Sequence, residues 1–236
     1  MKVYLLSSTP DPDSLVAAAA RICYSNAAAS DLLERESAAL SVRLLRELQL
    51  SGHHSPFEHA SFTFGVDGLS RVASHQLVRH RIASFSQQSQ RYVKMNNGEG
   101  DADVILPPSV ASCAEAAELF TRQAESACKT YNKLISMGIP AEDARFILPH
   151  GWETRLVMTM NARELHHFFN LRLCRRAQWE IRELARLMLI ECKRVAPIIF
   201  EVSGPSCVTC VTGECRESHP CGKPYDGMED LLAENS

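Results

Sequence analysis

The longest unbroken helical pattern in this chain covers residues 112–137, and the signals at its end leave little conformational choice. Gly138 stops the helix and Pro140 opens another, because glycine accepts the left-handed turn beyond a helix and proline suits a first helical turn. Amphipathic or alanine-rich patterns predict further helices over 15–23, 31–50, 70–81, 141–148, 161–173 and 178–195. Val42, Leu44, Leu45 and Leu48 mark the apolar face of the second of these. Asp13 or Ser14 is placed to cap the first helix, and Asn161 occupies an N-cap position. Alternation predicts strands over 1–7, 57–66 (Phe62, Phe64 and Val66 on one side) and 154–160. Asp67-Gly68 reads as a turn, 84–97 as a polar loop and 98–110 as an irregular link.

With 236 residues the chain fits one substantial domain or two small ones, and it is ample for a core. Its net charge of −3 gives no global attraction to nucleic acid or to an anionic membrane. No stretch is long and apolar enough to span a bilayer. The opening residues read as a strand rather than a signal peptide, which points to a cytoplasmic protein. Arginine outnumbers lysine 19 to 6, and the guanidinium fork favours geometric recognition of anions.

Four segments carry groups suited to binding chemistry. The densest is Arg79-His80-Arg81-Ile82-Ala83-Ser84-Phe85-Ser86-Gln87-Gln88-Ser89-Gln90-Arg91-Tyr92. Its arginines match phosphate oxygens and its glutamines suit the edge of a base, so it reads as a grip on a nucleotide. The plainer alternative is a solvated helix end followed by a polar loop. The second segment, His53-His54-Ser55-Pro56-Phe57-Glu58-His59, reads as a hydrogen-bonding loop at a ligand. A metal site is the competing reading, although Pro56 rules out a regular helical ligand spacing. The third places Arg145 in an apolar run ending at Pro149, where it either pairs with Glu142 or Asp143 or clamps a phosphate. The fourth, from Asn161 to Arg172, sets Arg163 and His167 on one helical face.

Together these blocks resemble the flavin-dependent thymidylate synthases, whose signature is Arg-His-Arg, seven residues, then Ser. Here that is Arg79-His80-Arg81 and Ser89, continuing through Gln90-Arg91-Tyr92. The blocks around 53–59, 144–149, 161–163 and 170–172, with Ala177-Gln178-Trp179-Glu180, follow in the family's order, so the resemblance covers roughly residues 1–200. It implies an α/β (α+β) fold, a mixed sheet flanked by helices, and a homotetramer whose active sites draw on several subunits. It implies FAD as cofactor, held without a Gly-x-Gly-x-x-Gly fingerprint. It also implies dUMP, 5,10-methylenetetrahydrofolate and NADPH as substrates, with dTMP and tetrahydrofolate as products.

Position by position, the resemblance assigns Gln76, Arg79, Gln87, Gln88, Ser89, Gln90, Arg91, Arg145 and Arg172 to dUMP. It assigns Ser55, Glu58, Arg79, His80, Arg81, Gln87, Asn161, Arg163 and His167 to the flavin. Arg172 would contact the uracil edge and favour ionisation at N3, and His53 would place folate or flavin. Ser89 invites a nucleophile reading, but no base and orienting partner are evident to activate its hydroxyl.

The resemblance leaves residues 204–236 as a Cys-rich and acidic tail behind a catalytic domain over 1–203. Within the tail, Cys207-x2-Cys210-x4-Cys215-x5-Cys221 offers four thiolates as candidate zinc ligands, with free thiols the default. From a different class, a single-stranded RNA-binding module would use the same Arg, Gln and Tyr92 groups. The acidic net charge and the 7% aromatic content count against it.

Overall fold

The computed structural model describes residues 1–34, 38–94, 102–210, 212 and 214–233. Part of the expected 98–110 link and the last three residues of the tail lie outside them. Four strands, β1 (Lys2–Ser8), β2 (Ser61–Ser70), β3 (Ala83–Gln87) and β4 (Glu153–Asn161), form one sheet in the order β1-β2-β4-β3. The strands run antiparallel. Helices α1 (Pro12–Arg21), α2 (Ala29–Glu34), α3 (Ala38–Ser51) and α4 (Arg71–Leu77) belong to the first half of the chain. Then come α5 (Pro108–Ala111), α6 (Ala114–Ser136), α7 (Ala141–Ala144), α8 (Ala162–Arg172), α9 (Trp179–Val195), α10 (Ser206–Thr209) and α11 (Met228–Ala233). This is the expected α/β class.

The chain divides into two compact units. The smaller comprises residues 1–2, 66–78 and 86–156. Its core gathers Cys128 and Tyr131 from α6 with Ala144, Leu148 and Trp152, and Val104, Leu134 and Ile135 pack around them. The backbone closes this core through Ile105, whose N–H donates to the Gly151 carbonyl at 2.8 Å.

The larger unit comprises residues 3–65, 79–85 and 157–236. Its helices follow the predicted periodicity. On α9, Ile181, Leu184, Ala185, Met188, Leu189 and Cys192 are all buried, the i, i+3, i+4 stripe that faces a core. Phe62 meets Phe200 with ring centroids 5.3 Å apart, and Phe169 meets Phe200 at 5.9 Å. Fully burying each such ring is worth ~1.5–3 kcal/mol.

Several local expectations change. Neither Asp13 nor Ser14 caps α1, because Asp11 takes the N-cap with φ 41°. Asp13 instead accepts the backbone N–H groups of Ile198 and Ile199, both at 3.0 Å. Burial outweighs those two bonds and pushes its carboxyl pKa upward. The helix expected over 31–50 is seen as α2 and α3, with 35–37 outside the described residues. The strand expected from Phe57 begins at Ser61, because Ser55–His59 form a 3-10 turn. It then runs through the expected Asp67-Gly68 turn, with Gly68 at φ 77° absorbing the kink. The helix over 70–81 stops at Leu77, and Ser70 caps its start by accepting the Ala73 N–H at 3.0 Å. Residues 84–87, expected to open a loop over 84–97, belong instead to β3, which starts at Ala83.

The tail borrows a core rather than building one. Tyr225 and Leu231 are buried, Arg175 stacks over the Tyr225 ring at 4.2 Å and reaches Asp230 at 3.3 Å, and Arg186 donates to the Leu232 carbonyl at 3.0 Å.

Candidate active site

In the larger unit the site begins at the turn after α4. Arg79 and Arg81 point outward, while His80 between them is only 5% exposed. Its partner comes from α8. Asn161 caps that helix by accepting the Glu164 N–H at 2.9 Å, and Glu164 is 6% exposed. His80 Nδ1 lies 3.0 Å from Glu164 Oε1, and Arg172 Nε donates to His80 Nε2 at 3.0 Å.

The tautomer follows from the donors. Arginine Nε is always a donor, so His80 Nε2 accepts and Nδ1 carries the proton given to Glu164. Burial pushes the His80 pKa downward, the Glu164 hydrogen bond opposes this, and the Arg172 charge adds to it. The result is a carboxylate–imidazole–guanidinium chain with a neutral ring that fixes the Arg172 fork. Burial lowers the Arg172 pKa as well, from a starting value so high that the group stays cationic.

His167 is exposed, with its ring 5.8 Å from that of His80. The ligand atoms of His80, Glu164 and His167 lie within 4.8 Å of one another, a separation a metal could use. Both His80 nitrogens are already engaged, however, and a guanidinium adjoins them. The donor set therefore fits a hydrogen-bonded chain better than a cation.

The 55–59 turn packs Phe57 inward against His166, ring centroids 5.7 Å apart. His53, Ser55 and Glu58 stay exposed. Glu58 is taken by the guanidinium of Arg163, an ion pair from the turn to the first residues of α8. That occupies the segment's one carboxylate, and among the described residues its histidines join no metal-like cluster. Arg79 and Arg81 have no ion-pair partner among the described residues. These two exposed cations are suited to an anion such as the diphosphate of a dinucleotide.

The smaller unit holds the rest of the predicted groups. Gln76 is half-buried on α4. Gln87 ends β3 and donates to Thr154 Oγ1 at 3.2 Å. The Gln88 backbone N–H donates to the Arg155 carbonyl at 2.9 Å, and its own carbonyl accepts from Arg71 at 2.7 Å. Ser89 Oγ accepts the Arg91 backbone N–H at 3.2 Å. Gln90 follows in the same turn, half-buried. Arg91 and Arg145 converge on one residue. Arg91 pairs with the Glu142 carboxylate at 2.8 Å, and Arg145 donates to the Glu142 carbonyl at 3.0 Å.

Arg71 had no signal in the sequence. It starts α4, and its Nε is buried with no partner among the described residues. Burial and then the nearby Arg145 charge lower its pKa. Two guanidinium groups held close enough to repel, one with an unsatisfied donor, are the electrostatics of an anion-binding site.

The tail cysteines separate. Cys207, Cys215 and Cys221 line one small cavity together with Cys174, while Cys210 contacts Thr212 Oγ1 at 3.2 Å and Arg216 at 3.4 Å.

An antiparallel sheet with α-helical cover carries arginine forks and a buried polar chain, groups suited to an anionic, nitrogen-rich ligand. The comparisons are specific. The family model described as "Thymidylate synthase complementing protein" matches residues 4–198. The flavin-dependent thymidylate synthase of Geobacter sulfurreducens is 51% identical over 224 residues, 94% of each chain. That of Clostridium tetani is 44% identical over 240 residues, again 94% of each. Among solved structures, a UMP/dUMP methylase, PolB, from Streptomyces cacaoi bound with 5-Br dUMP superposes with TM-score 0.74. It is 30% identical, over 85% of this chain and 93% of that one. The chain belongs to the flavin-dependent thymidylate synthase family. Among the described residues no helix is long and apolar enough to cross a membrane.

Proposed function

We propose that this chain converts dUMP to dTMP by reductive methylation. The one-carbon donor is 5,10-methylenetetrahydrofolate, NADPH is the reductant, and tetrahydrofolate is released. The observation that carries this reading is the Glu164–His80–Arg172 chain, with each link at 3.0 Å. A guanidinium held in this way offers a fixed positive charge to the uracil edge. There it stabilises negative charge at N3 and O2 and makes the ring carbon a better nucleophile.

FAD, when bound, supplies the reducing equivalents. His53, Ser55, Glu58, Arg79, His80, Arg81, Asn161, Arg163 and His167 are the groups we assign to its binding and placement, and Gln87 is shared between flavin and nucleotide. Gln76, Gln88, Ser89, Gln90, Arg91 and Arg145 hold dUMP, with Arg79 also shared. Arg71 joins Arg91 and Arg145 at the phosphate. Ser89 orients rather than attacks, since its hydroxyl contacts a backbone N–H instead of a base. The catalytic domain covers 1–203 and the tail 204–236. The working form is a cytoplasmic homotetramer with sites drawn from several chains.

The test is dTMP formation from dUMP, methylenetetrahydrofolate and NADPH at low oxygen with FAD added, the folate product being identified. UMP is run alongside, because PolB is a UMP/dUMP methylase. The expected result is dTMP with tetrahydrofolate. Folded, flavin-loaded protein that makes no dTMP would overturn the assignment, and methylation of UMP in preference to dUMP would move it to the ribonucleotide.

A further inference from the structure

Three tail cysteines and one cysteine of the body surround the same space. Cys174 follows the end of α8, and Cys207, Cys215 and Cys221 come from the tail. The cavity they line is small, about 10 Å³, which is room for one atom-sized occupant. One of the sulfurs already receives the hydrogen bond of a metal-bound thiolate. Cys221 Sγ accepts the backbone N–H of Lys223 at 3.4 Å. The donor lies two residues on. Gly222 at φ 74° makes the turn that permits this at Cys221. Such a bond stabilises negative charge on sulfur, and Arg175 and Lys223 on the same wall outnumber the one carboxylate there, Glu217.

We propose that Cys174, Cys207, Cys215 and Cys221 form a structural four-thiolate zinc site that fastens the C-terminal tail to the end of α8. Four thiolates from two chain segments suit a closed tetrahedral site. The cavity admits a single ion rather than a multi-iron cluster. Cys210 is left out despite its C-x2-C spacing with Cys207, because its sulfur is turned to Thr212 and Arg216. No three of the ligand sulfurs come within 4.8 Å of one another, so zinc binding draws the turns carrying Cys215 and Cys221 inward. The inference is independent of the dTMP assignment.

The experiment is metal analysis of the full chain, produced with zinc supplied and purified under reducing conditions. We expect about one zinc per chain. C174S and C221S should lower it at least ~10-fold while C210S leaves it unchanged. Circular dichroism checks that the variants fold. Should C174S fail to fold, cobalt substitution of the unaltered chain decides, since a tetrahedral cobalt–thiolate site gives intense charge-transfer and ligand-field bands. Zinc-free protein with no cobalt–thiolate bands, equal zinc loss in C210S and C174S, or iron with acid-labile sulfide in place of zinc would each overturn the proposal.

Discussion

Arg172 in the larger unit and Arg71 in the smaller one are both arginines held in partly buried surroundings, but by different means. Arg172 rests on a continuous chain of partners, an imidazole and then a carboxylate, each at 3.0 Å. Arg71 has one carbonyl partner, an orphaned Nε and a neighbouring arginine that repels it. The first arrangement is complete in the protein alone and fixes a direction. The second gains a counter-charge when an anion arrives. In the roles proposed for them, the group that points at a reacting ring is built into the folded state, whereas the group that captures a phosphate is left short of acceptors.

This contrast sets the expected sizes of perturbation. Arg172→Ala should lower dTMP formation by ~10³-fold with dUMP still retained by the arginine cluster, because it removes a charge acting at the reacting ring. A comparable loss of dUMP binding in equilibrium dialysis would erase the distinction between the two regions.

The next effect is on stability. Glu164→Ala strands the buried His80 N–H, at a cost of ~1–3 kcal/mol in urea unfolding. Arg91→Ala, which breaks an ion pair half-exposed on both sides, should cost clearly less, because water screens the pair. Equal destabilisation by the two would show that the buried chain is no more integral than the surface pair.

Acid sharpens the comparison further. Burial, followed by the charge on His54, pushes the His166 pKa down to about 4, and His80 shifts in the same direction. The unfolded chain takes up these protons first. Stability is therefore complete above about pH 6.5 and falls as pH drops toward 4, by ~3 kcal/mol for His166 alone. Urea midpoints at the two ends of that window should differ less in His166→Gln than in the unaltered chain. An unchanged pH slope would remove His166 as the cause.

The smallest effect belongs to Ser89→Ala, which should keep measurable turnover. Complete inactivity with dUMP binding intact would make the Ser89 hydroxyl a reacting group.

Much of this frame was legible in the residues because local and tertiary signals agreed. Asn161 caps α8 as its position predicted, and the α9 stripe and the inward set of Phe62, Phe64 and Val66 lie where periodicity puts them. β3 was hidden because its residues alternate between intermediate and exposed with serine and glutamine among them, so no apolar face announced a strand. Asp67-Gly68 looked like a turn from its own chemistry, but pairing on both sides of β2 overrode it. Arg71 belongs to no motif and gains its meaning from Arg145, more than 70 residues away. Cys174 gains its meaning in the same way, from groups distant in the chain. It lies far from the tail, and spacing within the tail pointed to Cys210 instead.

β3 also makes the seven-residue spacer between Arg81 and Ser89 a matter of parity. Five of those seven residues, 83–87, are paired in the sheet. Each advances the chain by ~3.3 Å and turns its side chain to the opposite face. A loop of that length would absorb an insertion, but a paired strand converts it into an inversion. An odd change in the count exchanges inward and outward for every group beyond it, and an even change keeps the facing but slides the register by whole pleats.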